Sequence, residues 1–214
     1  MKNIFKEHKR TIILTSIVTI LPLFAGLLLW NTLPDVLVTH WGFDNQPNGY
    51  MSKAAVVFGL PLFMLALQWL CMFATSLDKR NVENKKVLAL SFWIVPVISV
   101  LCGVITYAYA CGVMLNVGFI VSAVVGIILA AVGLFLPKFK QNSTAGVRLP
   151  WTLNSEENWE KTHRLAGTVW VSGGLLITLT SPLSNVWILM VILLVMILIP
   201  LLYSFWYSKQ ENKI

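Results

Sequence analysis

Residues Met114–Leu136 read MLNVGFIVSAVVGIILAAVGLFL, 23 positions without one charge or histidine. About 20 predominantly apolar residues in a helix cross the ~30 Å hydrocarbon core of a bilayer. This stretch is long enough, and it is not alone. Working outward, Thr11–Trp30, Ala54–Leu77, Val87–Ala110, Leu165–Ser181 and Asn185–Tyr207 also lack Asp, Glu, Lys, Arg and His. The chain of 214 residues is 57% hydrophobic and only 12% charged, with a mean hydropathy of +0.76. A soluble domain carries about twice that share of charge, so a water-facing globule is excluded. Disorder and a disulfide scaffold fall for the same reason, with too much apolar sequence and only three cysteines. The sequence predicts an all-α polytopic membrane protein of six spans, a single membrane domain over residues 1–214. Its first span follows Lys2, Lys6, Lys9 and Arg10 but is longer than a signal core and has no small-residue cleavage site after it, so it reads as a retained helix.

Lys and Arg mark the cytoplasmic side of such proteins. Fifteen of the 16 basic residues fall at the N-terminus, between spans two and three, between spans four and five, or in the tail. Lys53 alone lies on the other side. Both termini are therefore expected in the cytoplasm, and the net charge of +7 is a topology and anionic-lipid signal rather than a nucleic-acid footprint. Trp30, Tyr50, Tyr107, Tyr109 and Trp187 then fall at the outer interface, and Trp206 and Tyr207 at the inner one, where amphipathic rings are favoured.

Inside the spans the signals concern packing. Gly118, Ser122, Gly126 and Ala130 recur every four residues, a spacing that lets helix backbones approach closely. The stripe is read as a seam within the chain or as a homo-oligomer face. Pro22, Pro61, Pro96 and Pro200 predict kinks, Gly173 and Gly174 a looser fifth helix, and Gln68 an interhelical hydrogen bond. Cys71, Cys102 and Cys111 read as small buried apolar residues.

Two connectors are more than connectors. Asn31–Lys53 is far longer than a helix hairpin needs, which suggests ordered structure or a binding surface. Pro47-Asn48-Gly49 is its turn signal, and Leu33, Val36 and Val38 its extended or interfacial part. His40 with Asp35 or Asp44 is too sparse for a metal site. The residues offered to a ligand are Asp35, His40, Trp41, Asn48, Gly49 and Lys53. The second segment, residues 137–164, opens with a mobile polar linker from Lys138 to Ala145. A short approach follows, and then an interfacial helix capped by Asn154 or Ser155 that leads directly into span five. Glu157 with Lys161 and Glu160 with Arg164 pair along one face, while Trp159, His163, Gly167 and Trp170 line the other. There is no nucleophile–base pair, no metal cluster and no phosphate loop. Catalysis, cofactors and metals are thus not indicated.

The run Gly146-Val147-Arg148-Leu149-Pro150-Trp151-Thr152-Leu153, with Trp159 and then Thr162-His163-Arg164-Leu165-Ala166-Gly167, resembles the signature of the SdpI family. These are bacterial multi-pass proteins named for immunity to the sporulation delaying protein toxin. Leu33-Pro34-Asp35, His40-Trp41-Gly42, Pro47-Asn48-Gly49-Tyr50 and Lys53 resemble an N-terminal module frequent in that family. The sequence departs at Leu149, where Thr is usual, and at Asn48, where an acidic residue is common. The resemblance implies a plasma-membrane protein that protects a bacterium from a secreted, membrane-active peptide toxin. It also implies a relay that draws a cytoplasmic transcriptional repressor to the membrane. Gly146, Arg148, Pro150, Trp151, Thr152, Trp159, His163, Arg164 and Gly167 form its cytoplasmic signature. The alternative class is a small-molecule or ion transporter or channel, although the spans lack the ionisable residues that mark ion pathways.

Overall fold

The computed structural model describes residues 7–76, 85–142 and 145–211, with the side chains of 85–91 left out. The helices are α1 (Lys9–Leu28), α2 (Leu60–Ser76), α3 (Lys85–Ala110), α4 (Val117–Phe135), the short α5 (Pro150–Asn154), α6 (Glu156–Thr180) and α7 (Val186–Glu211). Ala55–Gly59 is a π-helical turn running into α2. Six helices are long and apolar enough to cross a membrane: Lys9–Leu28, Ala55–Ser76, Phe92–Ala110, Val117–Lys138, Glu156–Leu183 and Val186–Glu211. The multi-pass architecture expected from the sequence is thereby met. The chain divides into two compact units, one built on α1–α3 and the other on α4–α7.

In the first unit, α1 and α2 are tied by hydrogen bonds rather than by apolar burial, which drives little where the solvent is lipid. The Gln68 amide donates to Thr15 Oγ1 at 2.8 Å and accepts from Thr19 Oγ1. Ser99 of α3 donates to the Thr19 carbonyl at 2.8 Å. Gln68, Thr15 and Thr19 are all buried, so this is the interhelical bond expected of Gln68. Gly103 lies where a Cβ would sit 2.7 Å from Pro22, and Gly26 where one would sit 2.6 Å from the Tyr107 hydroxyl. Above them Leu33, Leu37, Val56, Val57 and Tyr107 form a small core.

The 31–53 loop is ordered. β1 (Val36–Trp41) and β2 (Pro47–Ser52) pair antiparallel, with irregular register around His40. The turn is not at Pro47-Asn48-Gly49, which lies inside β2. It runs from Gly42 to Gln46, closed by the Gly42 N–H on the Gln46 carbonyl at 2.8 Å. Asn45 takes a positive φ of 62°, and Asp44 accepts from the Gln46 N–H at 3.0 Å. Asx residues do both locally, and that chemistry outranks the Pro-Asn-Gly signal. Pro47 instead opens its strand, where a missing N–H is tolerated.

In the second unit, α4 and α6 form a close seam. A Cβ on Gly126 would lie 2.6 Å from the Gly174 carbonyl, and one on Gly174 would lie 2.5 Å from Ala130 N. Gly133 and Gly167 continue the contact. Gly126 and Ala130 of the small-residue stripe thus serve a seam within the chain. Gly173 and Gly174 do not loosen α6. Gly174 admits α4, and Gly173 admits Met196 of α7. Met196, Ile177 and Ile192 fill the α6–α7 side. The three cysteines are exposed, not buried, because in lipid a small apolar thiol is as well placed facing outward as inward.

Candidate functional site

Two constructions use the residues singled out from sequence, one in each unit. The first is the hairpin. Lys53 closes its base: its N–H donates to the Asp35 carbonyl at 2.8 Å, and Nζ reaches the Trp30 carbonyl at 3.2 Å and Asp35 Oδ1 at 3.3 Å. The ammonium also lies 5.2 Å from the Trp30 ring centre. The lysine side chain is 15% exposed and the Asp35 side chain 98%, so the carbonyl and the ring hold Lys53 more than the ion pair does. Higher up, His40 Nδ1 and Asn48 Oδ1 are 2.5 Å apart across the strands. Gly49 faces His40, and a Cβ there would lie 2.7 Å from the His40 Cβ. Trp41 stands edge-on to Tyr109 with centroids 5.5 Å apart. Its indole N–H is buried without a partner among the described residues.

The six residues therefore fall into a base clasp, Asp35 with Lys53, and an upper cluster, His40, Asn48 and Gly49 with Trp41 beside it. The clasp holds shape. His40 and Asn48 are exposed and available to a ligand. Phe43, 81% exposed at the turn, was not singled out in sequence. Its signal is an aromatic placed between Gly42 and Asp44, a position with nothing local to pack against.

The second construction surrounds His163. Only the part of α6 after Arg164 is free of charge, so His163 belongs to the polar end of that helix. The ring is stacked on Trp159, centroids 4.0 Å apart at 21°. Nδ1–H donates to the Trp159 carbonyl at 2.8 Å, and Nε2 accepts the Val147 N–H at 3.0 Å. One nitrogen donates and the other accepts, which only neutral imidazole can do. Burial accordingly pushes its pKa down to about 4, with the hydrogen bond to the Trp159 carbonyl opposing. Gly146, at φ 118°, passes so close that a Cβ would overlap His163 Nε2 and lie 3.1 Å from the Trp159 ring.

The surrounding loop is pinned just as fully. Thr152 Oγ1 donates to the Val147 carbonyl at 2.8 Å and accepts the Leu149 N–H at 2.9 Å. Pro150 opens α5, where its lost N–H costs nothing. Trp159 Nε1 donates to the Phe139 carbonyl at 2.7 Å, and Gln141 binds the Thr152 and Leu153 carbonyls at 2.8 and 2.9 Å. Phe139–Asn142 is thus part of the construction, not the mobile linker expected; Ser143 and Thr144 lie outside the described residues. Ser155, rather than Asn154, caps α6 by accepting the Asn158 N–H at 3.0 Å.

A third strand of bonds reaches α7. Trp151 Nε1 donates to Ser204 Oγ at 3.0 Å, and the buried Asn158 donates to the Ser204 carbonyl at 3.1 Å. Sequence reading missed Asn158, whose only signal was an amide on the apolar side of a helix. Gly146, Thr152, Trp159 and His163 are thus brought together, Trp151 ties the group to α7, and Gly167 packs against Pro137 in the α4 seam. Arg148 and Arg164 are exposed, Arg164 lying 3.5 Å from Glu160. Among the described residues no group of three His, Cys, Asp or Glu is placed to hold a metal.

Two stretches of the chain match known family models. Residues 138–204 match the model of the SdpI/YfhL protein family, and residues 17–65 match a domain of unknown function, DUF1648. The first interval contains the His163 construction and the second the hairpin. The chain is 27% identical over 203 residues to Immunity protein SdpI of Bacillus subtilis (strain 168), covering 94% of this chain and 97% of that protein. Neither description is that of an enzyme. The resemblance to the SdpI family read from the two stretches is borne out. No solved structure matches.

Proposed function

We propose that this multi-pass membrane protein is an immunity protein, protecting the bacterium that carries it from a secreted, membrane-active peptide. The observation that carries this is the 27% identity to an immunity protein along 94% of the chain. Both termini and the His163 construction lie in the cytoplasm, the orientation favoured by the distribution of Lys and Arg. The hairpin then meets the outer surface and receives the peptide on His40, Trp41, Asn48 and the exposed Phe43. The cytoplasmic face around Arg148 and Arg164 is the surface on which a repressor would be held. Arg suits that role because its planar fork recognises carboxylates bidentately.

The test is expression in a sensitive strain challenged with candidate membrane-active peptides, the sporulation delaying protein peptide first. Survival at unchanged external peptide concentration supports immunity. Survival that requires peptide export or destruction, or no survival with any peptide while the protein accumulates in the membrane, overturns it.

A further inference from the structure

A cavity of about 280 Å³ lies beneath the hairpin in the first unit. Thr39 and Met51 of the two strands roof it, Leu60, Pro61 and Met64 form one wall, and Ser99, Cys102, Thr106 and Tyr107 of α3 the other. Among the described residues no charged side chain lines it, so it suits neither a headgroup nor a charged residue. Thr106 is 6% exposed, and its hydroxyl makes no hydrogen bond among the described residues. A threonine in a helix ordinarily returns its hydroxyl to a carbonyl one turn back, as Thr75, Thr178 and Thr180 do here. Thr106 does not, and faces the cavity instead. Among the described residues the fully buried unmatched side-chain atoms are Ser16 Oγ and Trp41 Nε1. The Thr106 hydroxyl is instead reached from the cavity it lines, where it can donate to an acceptor that enters.

We propose that this cavity binds one acyl chain of a glycerolipid, with Thr106 donating to its ester carbonyl. Depth supports this ligand. From Ala110, where α3 ends, Thr106 lies about 6 Å and Ser99 about 16 Å down the helix at ~1.5 Å per residue. The cavity thus reaches from the polar end of α3 to about half of the ~30 Å hydrocarbon thickness, the extent of one leaflet's chains. The hydroxyl sits near the upper end, where an ester would be. Access supports it as well. The hairpin covers the end, whereas Cys102, in the lining yet exposed, opens the flank about 12 Å below Ala110. A chain enters there from the bilayer. Met51 and Met64 give the walls side chains that adapt to a flexible guest.

The test uses the full-length chain with Cys71→Ser and Cys111→Ser, which leaves Cys102 as the single thiol. In maltoside micelles, capture of Cys102 by N-ethylmaleimide is followed with added dioleoyl phosphatidylglycerol or its dialkyl ether analogue, which has no ester carbonyl. The diacyl lipid is expected to slow labelling. The ether analogue should need about two- to tenfold more for the same effect, the change one neutral hydrogen bond produces. With Thr106→Val the two lipids should become equivalent. The ester–ether comparison in the parent protein stands even if that variant folds poorly. Equal potency of the two lipids in the parent, or no slowing by either, overturns the proposal. So does slowing by the sporulation delaying protein peptide alone, which would give the cavity to a peptide.

Discussion

Replacing Gly146 by alanine should destabilise the second unit without touching any membrane-spanning contact. At φ 118° an L-residue is strained by roughly 1–3 kcal/mol. The new Cβ would also overlap His163 Nε2 and press on the Trp159 ring at 3.1 Å. That ring cannot yield cheaply, because its indole N–H holds the Phe139 carbonyl at 2.7 Å and its face is stacked on His163. Overpacking of this kind adds about 1–3 kcal/mol. A total of roughly 2–6 kcal/mol corresponds to a fall in Tm of roughly 4–24 °C for a chain of this length. The assay is thermal unfolding in detergent of the parent, Gly146→Ala, His163→Ala and the double variant. Removing the imidazole makes room for the methyl, so the double variant should be less damaged than the sum of the singles by about 1–3 kcal/mol. Strain at φ survives in both, so the pair should not return to parental stability. Additive losses, or a Gly146→Ala protein melting within a degree of the parent, would refute the close approach of Gly146 to the ring.

Stability should be level from pH 8 to about 6.5 and fall below it. His163 has a folded pKa near 4, below the ordinary 6.5, so acid protonates the unfolded chain first. The slope should approach ~1.4 kcal/mol per pH unit, and His163→Gln should flatten it; an unchanged slope removes His163 as its source. In a background lacking the native cysteines, Asn45→Cys should react with an impermeant thiol reagent on intact cells and Asn154→Cys should not, the reverse pattern inverting the proposed orientation. Gly126→Leu should lower folded yield, since a large side chain would part α4 from the Gly174 carbonyl; parental yield and melting would place that face against lipid.

The spans were legible because their signal is long and redundant, some twenty apolar residues each, so an error of two or three positions changes nothing. The α4–α6 seam was half legible. Gly126 and Ala130 announced it by spacing, but their partner Gly174 read as flexibility, since one helix alone does not say what lies across it. The hairpin turn was misplaced because Asp44, by a side-chain bond, and Asn45, by its positive φ, form a turn that competes with the stronger-looking Pro47-Asn48-Gly49. Least legible was the His163 construction. Trp159, His163 and Gly146 were each picked out, yet the bonds that join them run from Val147 and Phe139, residues chosen for their backbone groups. Backbone donors and acceptors carry no sequence signal.

That distinction governs how loss of protection should be interpreted at the hairpin. Lys53 is the sole basic residue on its side of the proposed orientation, which makes it tempting as a contact for an acidic peptide. Its side chain is only 15% exposed, and its nitrogens hold the Asp35 and Trp30 carbonyls. Lys53→Ala should therefore cost protection by loosening the hairpin base, whether or not a peptide ever touches it. His40 and Asn48 stand at the exposed upper cluster, and Phe43 at the tip, with no part in that clasp. If the hairpin receives the peptide, His40→Ala and Phe43→Ala should lose protection at parental membrane level and parental Tm, whereas Lys53→Ala should lose both together. Protection that survives His40→Ala and Phe43→Ala while falling with Lys53→Ala would make the hairpin a structural lid and move peptide recognition elsewhere on the first unit.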